Sequence, residues 1–238
     1  MAKFKWHRRG DTWLARAFSD GKAGRDHPRA DEIEAIAANI ATVGPQPLWA
    51  GYEPVYAQQK KMPWAGSAPV RSPDQVRTRR EMGCLFAWIV EQRRPDLVVE
   101  FGTAFGVSAL YWAAGLDAAG AGHLLTFEPN QVWHDIAAAH LRVFSPRVTA
   151  VLGTFEDNID KWRGEKTIDV AFVDGIHTSD FVNPQVELLI ARLSPGGLIL
   201  LDDLRFSDDM ARCWEQWAND PRVKSSIAID RRVGILEF

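Results

Sequence analysis

The chain has little cysteine, no excess of positive charge and no long apolar run, and each absence narrows what it can be. Cys84 and Cys213 are the only two cysteines in 238 residues. Neither has a CxxC neighbour or the spacing of a metal site, which argues against a disulfide framework, a zinc module or thiol catalysis. They read as buried, reduced side chains on helices. The formal net charge is −3, and nucleic-acid binding normally requires a basic face, so no nucleic-acid partner is expected. Residues 1–30 do carry eight Lys/Arg against three Asp. These are dispersed without an aromatic-basic motif and read as a solvated, partly mobile end. No stretch reaches the roughly 18 apolar residues of a membrane span, and the start lacks a signal-peptide core. A cytoplasmic chain with no membrane partner is the expectation. Internal repeats and low-complexity segments are also absent.

What is present is a globular composition, 46% apolar and 25% charged, in a length that suits one α/β domain with an appendage. Asp31 followed by Glu34, with Ile33, Ile36, Ala37 and Ile40 on one face, predicts a helix that stops near Gly44. Residues 45–73 then hold six prolines and the aromatics Trp49, Tyr52, Tyr56 and Trp64 without a period. They read as an irregular arm laid over the domain. A substrate lid, a structural wrap or a homodimer contact are the alternatives for this arm, and the chain divides into 1–71, an N-terminal extension, and 72–238, the main domain. Ser72, Pro73 and Gln75 form a capping-box start, followed by an apolar face of Val76, Leu85, Trp88 and Ile89. Arg77, Arg79 and Arg80 are the expected wet side, and Pro95 ends the helix.

Strands are expected at Leu97–Val99, 123–128, 148–152, 168–173 and 198–201, with helical patterns between them. That alternation means parallel β-α units and a doubly wound sheet. Residues 225–230 and 233–238 are two β-rich runs too close for a crossover, hence an antiparallel hairpin.

The most informative stretch is residues 96–108, which reads strand, tight turn, helix. Gly102 and Gly106 let the backbone approach a ligand, and the helix start offers N–H groups to a polar or anionic group. A dinucleotide fingerprint needs G-x-G-x-x-G. Here the pattern is Glu100-x-Gly102-x-x-x-Gly106-x-Ser108, and an acid at the strand tip repels a pyrophosphate while suiting an ammonium group. Further tips carry Glu128 in Phe-Glu-Pro-Asn, and Thr154, Phe155 and Glu156 after the third strand. Asp174 and His177 follow the fourth strand, and Asp202-Asp203 follows a Pro-Gly-Gly turn and the fifth. In an open parallel sheet these tips form the ligand crevice. Three clustered carboxylates repel one another unless a cation or shared protons relieve them, and all-oxygen ligation suits a hard ion such as Mg²⁺.

The stretch 96–108 resembles motif I of class I S-adenosylmethionine (SAM)-dependent methyltransferases in the O-methyltransferase variant. That resemblance implies a Rossmann-like seven-stranded sheet of order 3-2-1-4-5-7-6 with strand 7 antiparallel. It also implies a SAM site made by Glu100, Gly102, Thr103, Gly106, Ser108, Glu128, Phe155, Glu156 and Asp174. Glu100 takes the amino group, Ser108 the carboxylate and Glu128 the ribose, with Phe155 and Glu156 at the adenine. The tips of strands four and five resemble cation-dependent enzymes of the catechol and caffeoyl-CoA type, which implies a metal on Asp174, Asp202 and Asp203. Asp203 stands where those enzymes have Asn, and an Asp pair also occurs in the macrocin-type sugar enzymes. His177 lies where the catechol type has a lysine, so His177 and Asp174 are the candidate catalytic groups. The implied activity is O-methylation of a small hydroxylated molecule. The alternatives are a metal-independent methyltransferase of another acceptor class (nitrogen, or a natural-product sugar) and, more distantly, an NAD-dependent oxidoreductase or nucleotide-binding module.

Overall fold

A computed structural model describes residues 3–19, 26–48, 70–158 and 167–238. The elements before the main domain are β1 (Phe4–Arg8), α1 (Trp13–Ala17), α2 (Ala30–Ala41) and a short ladder of β2 (Gln46–Pro47) with β3 (Val70–Arg71). Then come α3 (Pro73–Val76), α4 (Arg80–Arg93), β4 (Leu97–Phe101), α5 (Val107–Ala119), β5 (His123–Glu128), α6 (Gln131–Phe144), β6 (Val148–Leu152) and α7 (Phe155–Asn158). The chain closes with β7 (Ile168–Val173), α8 (Ser179–Ile190), β8 (Leu193–Leu201), α9 (Asp208–Ala218), β9 (Ser225–Ile229) and β10 (Val233–Glu237). No helix among the described residues is long and apolar enough to cross a membrane.

The main sheet has the order β1-β9-β10-β8-β7-β4-β5-β6. From the β6 edge this is 3-2-1-4-5-7-6, as expected, with β10 antiparallel to both neighbours. The difference is β1, an eighth strand paired antiparallel to β9. The chain start is therefore not the solvated end that its scattered charges suggested. Phe4 and Trp6 pack against the core, and Glu237 of β10 accepts the N–H groups of Trp13 and Leu14 at the start of α1. Part of the stretch 1–71 thus shares sheet and core with 72–238. Residues 49–69, which hold the aromatic arm expected as a lid, lie outside the described residues.

Strand periodicity divides the core in two. Val98, Val170, Phe172, Leu198, Leu200, Ile227 and Ile235 face the layer of α2, α4 and α5. Val99, Phe101, Ala171, Val173, Ile199, Leu201 and Leu236 face α8 and α9, because successive side chains of a strand point to opposite faces. Helix α5 is buried at eleven of its thirteen positions, as a helix apolar on all sides must be. It lies so close to α4 that a Cβ on Gly115 would sit 2.5 Å from the Ala87 carbonyl oxygen. Trp112 of α5 stacks on Phe86 of α4 with ring centroids 4.5 Å apart.

Three local expectations change. The helix after Ser72 is two helices, since Arg77 and Arg79 are both extended, at ψ 146° and 152°. Of the expected wet side, Arg79 is exposed and Arg80 holds Asp26 and Asp31 at the surface, but Arg77 turns in to pair with Glu34 of α2. The Pro-Gly-Gly turn lies within β8, where Ile168 pairs with Leu193 and Val170 with Leu198, so residues 194–197 bulge from the ladder. Both cysteines are free and buried on helices as expected, and burial pushes each thiol up to about 11.

Candidate active site at the carboxyl ends of the strands

Register brings the site together. Phe101 lies opposite both Phe127 and Val173, and Val173 opposite Leu201, so the residues following each strand emerge side by side. Backbone bonds continue the ladder past the strand ends, from Gly102 and Thr103 N–H to the Phe127 carbonyl, from Asp174 N–H to Phe101, and from Asp202 N–H to Val173. At Gly102, φ is +90° and a Cβ would meet the Asp174 carbonyl oxygen at 2.0 Å, so only glycine lets the two tips touch.

A cavity opens at this turn. Gly102, Thr103, Ser108 and Asp174 line it as expected. Ala104, Phe105 and Val107 complete that wall, and Pro73, Val76, Arg77 and Thr78 close it from the other side. Those last four were not anticipated, because the segment reads in sequence as a helix start with a wet face. No local sequence signal marks them, because the break at Arg77–Arg79 that separates α3 from α4 is seen only in the backbone.

Glu100 is fully buried behind this wall and does not reach the cavity itself. Its Oε2 accepts a 2.6 Å bond from the Thr126 hydroxyl, which also bonds to the Thr103 hydroxyl, while Oε1 has no hydrogen-bond partner. Burial drives its carboxyl up to about 7, opposed by the polar groups of Thr126, Ser108 and Trp112. Glu128 is buried too and pushed up to about 7 by the same cause, with both oxygens accepting backbone N–H groups, from Asn130 (2.9 Å) and Ala104 (2.8 Å). A carboxylate has about four lone-pair sites, so two acceptor positions remain for ribose hydroxyls. Gly106, at φ +91°, is the N-cap of α5. Of the two residues expected at the adenine, Phe155 is buried and Glu156 exposed. Phe155 is packed in the core against Phe101 and Phe127 at centroid distances of 4.4 and 5.5 Å. Glu156 accepts a bond from Gln185 of α8, and Thr154 caps α7 by accepting the Asp157 N–H.

The acids after β7 and β8 do cluster. His177 Nε2 stands 3.6 Å from Asp174 Oδ1 and 3.7 Å from Asp203 Oδ2, with its ring 5.3 Å from that of Phe206. Burial first, then repulsion from Asp202 and Asp203, raises the Asp174 carboxyl well above the usual range. Asp203 is raised by burial and by Asp202, against the pull of His177 and Arg232. It carries φ +50°, an unfavourable left-handed conformation that Asp tolerates better than most residues.

The geometry gives the metal expectation no support. Asp202, 2% exposed, gives both oxygens to Arg232, which donates through Nε (3.1 Å) and Nη2 (2.9 Å). Arg232 Nε also lies 3.6 Å from Asp203 Oδ1. Asp174, Asp202 and Asp203 form no metal-binding set, and no group of three His, Cys, Asp or Glu among the described residues does. The charge relief is real, but its source is a side chain that sequence reasoning passed over. Topology could have found it: β9 runs parallel to β8, so the turn after β9 must lie at the same sheet end as the acids.

Comparison with known proteins agrees with this geometry. Residues 99–204 match the family model of a methyltransferase domain, a span that runs from motif I through the paired aspartates. The Sinorhizobium fredii uncharacterized protein y4gI is 24% identical over 163 residues, covering 62% of this chain and 17% of that protein. The chain thus spans about a sixth of that relative's length. Among solved structures, the O-methyltransferase TomG of Streptomyces achromogenes, involved in tomaymycin synthesis and bound to SAM, superposes with a TM-score of 0.59 at 16% identity over 95% of this chain and 96% of TomG. PaMTH1 of Podospora anserina, bound to S-adenosylhomocysteine, gives 0.59 at 18% over 90% and 99%. The Bacillus cereus O-methyltransferase, also with that product, gives 0.57 at 18% over 88% and 100%. Residues 99–204 thus carry the likeness to a methyltransferase domain, and the solved O-methyltransferases share the fold of the chain.

Proposed function

We propose that the protein transfers the methyl group of SAM to a hydroxyl of a small molecule. The observation that carries this reading is the cavity on Gly102, Thr103, Ser108 and Asp174, with His177 beside its Asp174 wall. The residues fit SAM on two counts: the glycine approach that a Cβ would fill, and the unpaired Glu100 oxygen behind Ser108. Gly102, Thr103 and Ser108 would hold the methionine end and Glu128 the ribose. SAM supplies an electrophilic methyl group, so the chain's task is to place an acceptor oxygen in line and remove its proton. His177 is the base, with Asp174 and Asp203 favouring the imidazolium that forms. Kinship with O-methyltransferases in fold supports the oxygen acceptor.

A second reading, methyl transfer without a divalent ion and to another acceptor class, gains support in its metal-free part from the Arg232–Asp202 pair. Isothermal titration separates the methyltransferase from the oxidoreductase alternative. SAM is expected to bind and NAD not to bind; tight NAD binding with no SAM binding would overturn the assignment.

A further inference from the structure

We propose that Arg232 stands in for the divalent cation at the strand tips, so that this site works as a metal-free centre built around a fixed guanidinium. The inference rests on the methyltransferase reading above. A small divalent ion needs oxygens at about 2.0–2.1 Å in near-octahedral array. Both Asp202 oxygens are already on one planar fork, whose geometry matches a carboxylate and whose charge never leaves it. A second cation there would face Arg232 as well as lose Asp202.

The placement of Arg232 is built into the fold. Gly234 of β10 pairs with Leu201, which carries the antiparallel register on to Asp203 opposite Arg232, and Leu204 N–H donates to the Arg232 carbonyl at 2.9 Å. Arg232 follows a tight turn closed by its own N–H on the Ile229 carbonyl, with Asp230 and Arg231 both at positive φ (50° and 59°). Ile229 pairs with Val233, so the connection is the three residues 230–232 and Arg232 ends it. The eighth strand then clamps the turn, because Lys3 N–H donates to Asp230 Oδ1 (2.7 Å) and Asp230 N–H to the Lys3 carbonyl (2.8 Å). Arg232 is a positioning residue: it neutralises Asp202, holds it at the end of β8, and shares Asp203 with His177, which also faces Asp174. With no ion to chelate, the acceptor needs only one hydroxyl and not a neighbouring pair of oxygens.

The test uses the full chain and Mn²⁺ as the probe, followed by electron paramagnetic resonance and calorimetry. The wild type is expected to bind no Mn²⁺ below about 1 mM, whereas Arg232→Ala frees the three acids and gains Mn²⁺ affinity by about tenfold or more. Adding Asp202→Asn removes that gain, and Arg232→Lys, which keeps the charge, never shows it. Wild-type Mn²⁺ binding below about 1 mM that Asp202→Asn abolishes would overturn the proposal, and this arm does not depend on the Ala variant folding. SAM titrated into the same samples keeps the two readings apart. Loss of SAM binding in the wild type sinks the methyltransferase reading, while the Mn²⁺ result still judges Arg232.

Discussion

The Thr126 hydroxyl donates to Glu100 Oε2 across 2.6 Å, from the residue directly opposite on the neighbouring strand, with the polar groups of Ser108 and Trp112 also favouring the charged carboxylate. The buried acid is raised from 4.5 to about 7. Below the unfolded-state value both states are protonated and no penalty exists. As pH rises toward 7 the unfolded chain ionises first, and the folded state loses stability across that window. The full loss is on the order of 2 to 4 kcal/mol. Glu100→Gln removes one of these ionisations, so its stability is expected to decline less steeply than the wild type's from about pH 4.5 to 7, the remaining slope coming from Glu128 and Asp174. Urea titrations at several pH values check this; parallel curves for the two proteins would refute it.

His177 offers a kinetic prediction. Replacing it with Gln keeps a polar side chain beside Asp174 and Asp203 but removes the base, and general-base losses are typically about 10²- to 10⁴-fold in kcat. SAM affinity is expected to stay within about twofold, because His177 is not a wall of the cavity at Gly102. Release of S-adenosylhomocysteine over a panel of hydroxylated acceptors is the measurement. An unimpaired variant would move the proton to another group.

The alternating strands, the hairpin and the glycine turn were legible in the sequence because each follows from local rules: periodicity, connection length and the need for backbone approach; the strand order came only through the resemblance. Gly102, Ser108 and the acids at the tips of β7 and β8 came with them, since register carries a strand-end residue to its neighbour's end. What stayed hidden depends on pairing between distant segments. Nothing local says that Phe4–Arg8 finds the β9 edge, that Arg77 leaves solvent for Glu34, or that Phe155 turns inward to Phe101. Arg232 stayed hidden for the same reason: three acids demand a counter-charge, but sequence spacing could not show that a turn 30 residues beyond Asp202 brings a guanidinium to it.

Gly102 and Gly175 form a matched pair for testing the close approach. A Cβ at Gly102 meets the Asp174 carbonyl at 2.0 Å and sits on a backbone with φ +90°, whereas one at Gly175 meets nothing within 4 Å. Gly102→Ala is expected to cost on the order of 2 to 4 kcal/mol and to abolish SAM binding by parting the β4 and β7 tips. Gly175→Ala is expected to stay within about 0.5 kcal/mol. Thermal unfolding and SAM calorimetry on both variants give the comparison, and equal behaviour would mean that the tips need not touch.

The eighth strand makes the chain start a structural part of the domain, and truncation can show it. Deleting residues 1–8 removes the partner of β9, uncovers Ile227 and Ile229, which are fully buried in the intact chain, and takes Phe4 and Trp6 off the core. A loss on the order of 3 to 5 kcal/mol follows from the burial of those side chains alone. The turn at Asp230 also loses its clamp on Lys3, so amide exchange should quicken at Arg232 and at Asp202 N–H more than in β4 or β5, which lie beyond β8 and β7 in the sheet. A solvated tail would give neither effect. If the truncated chain unfolds at the wild-type denaturant midpoint, with unchanged exchange at Arg232, then β1 is an ornament on the sheet edge and the clamp on the guanidinium has to come from β10 alone.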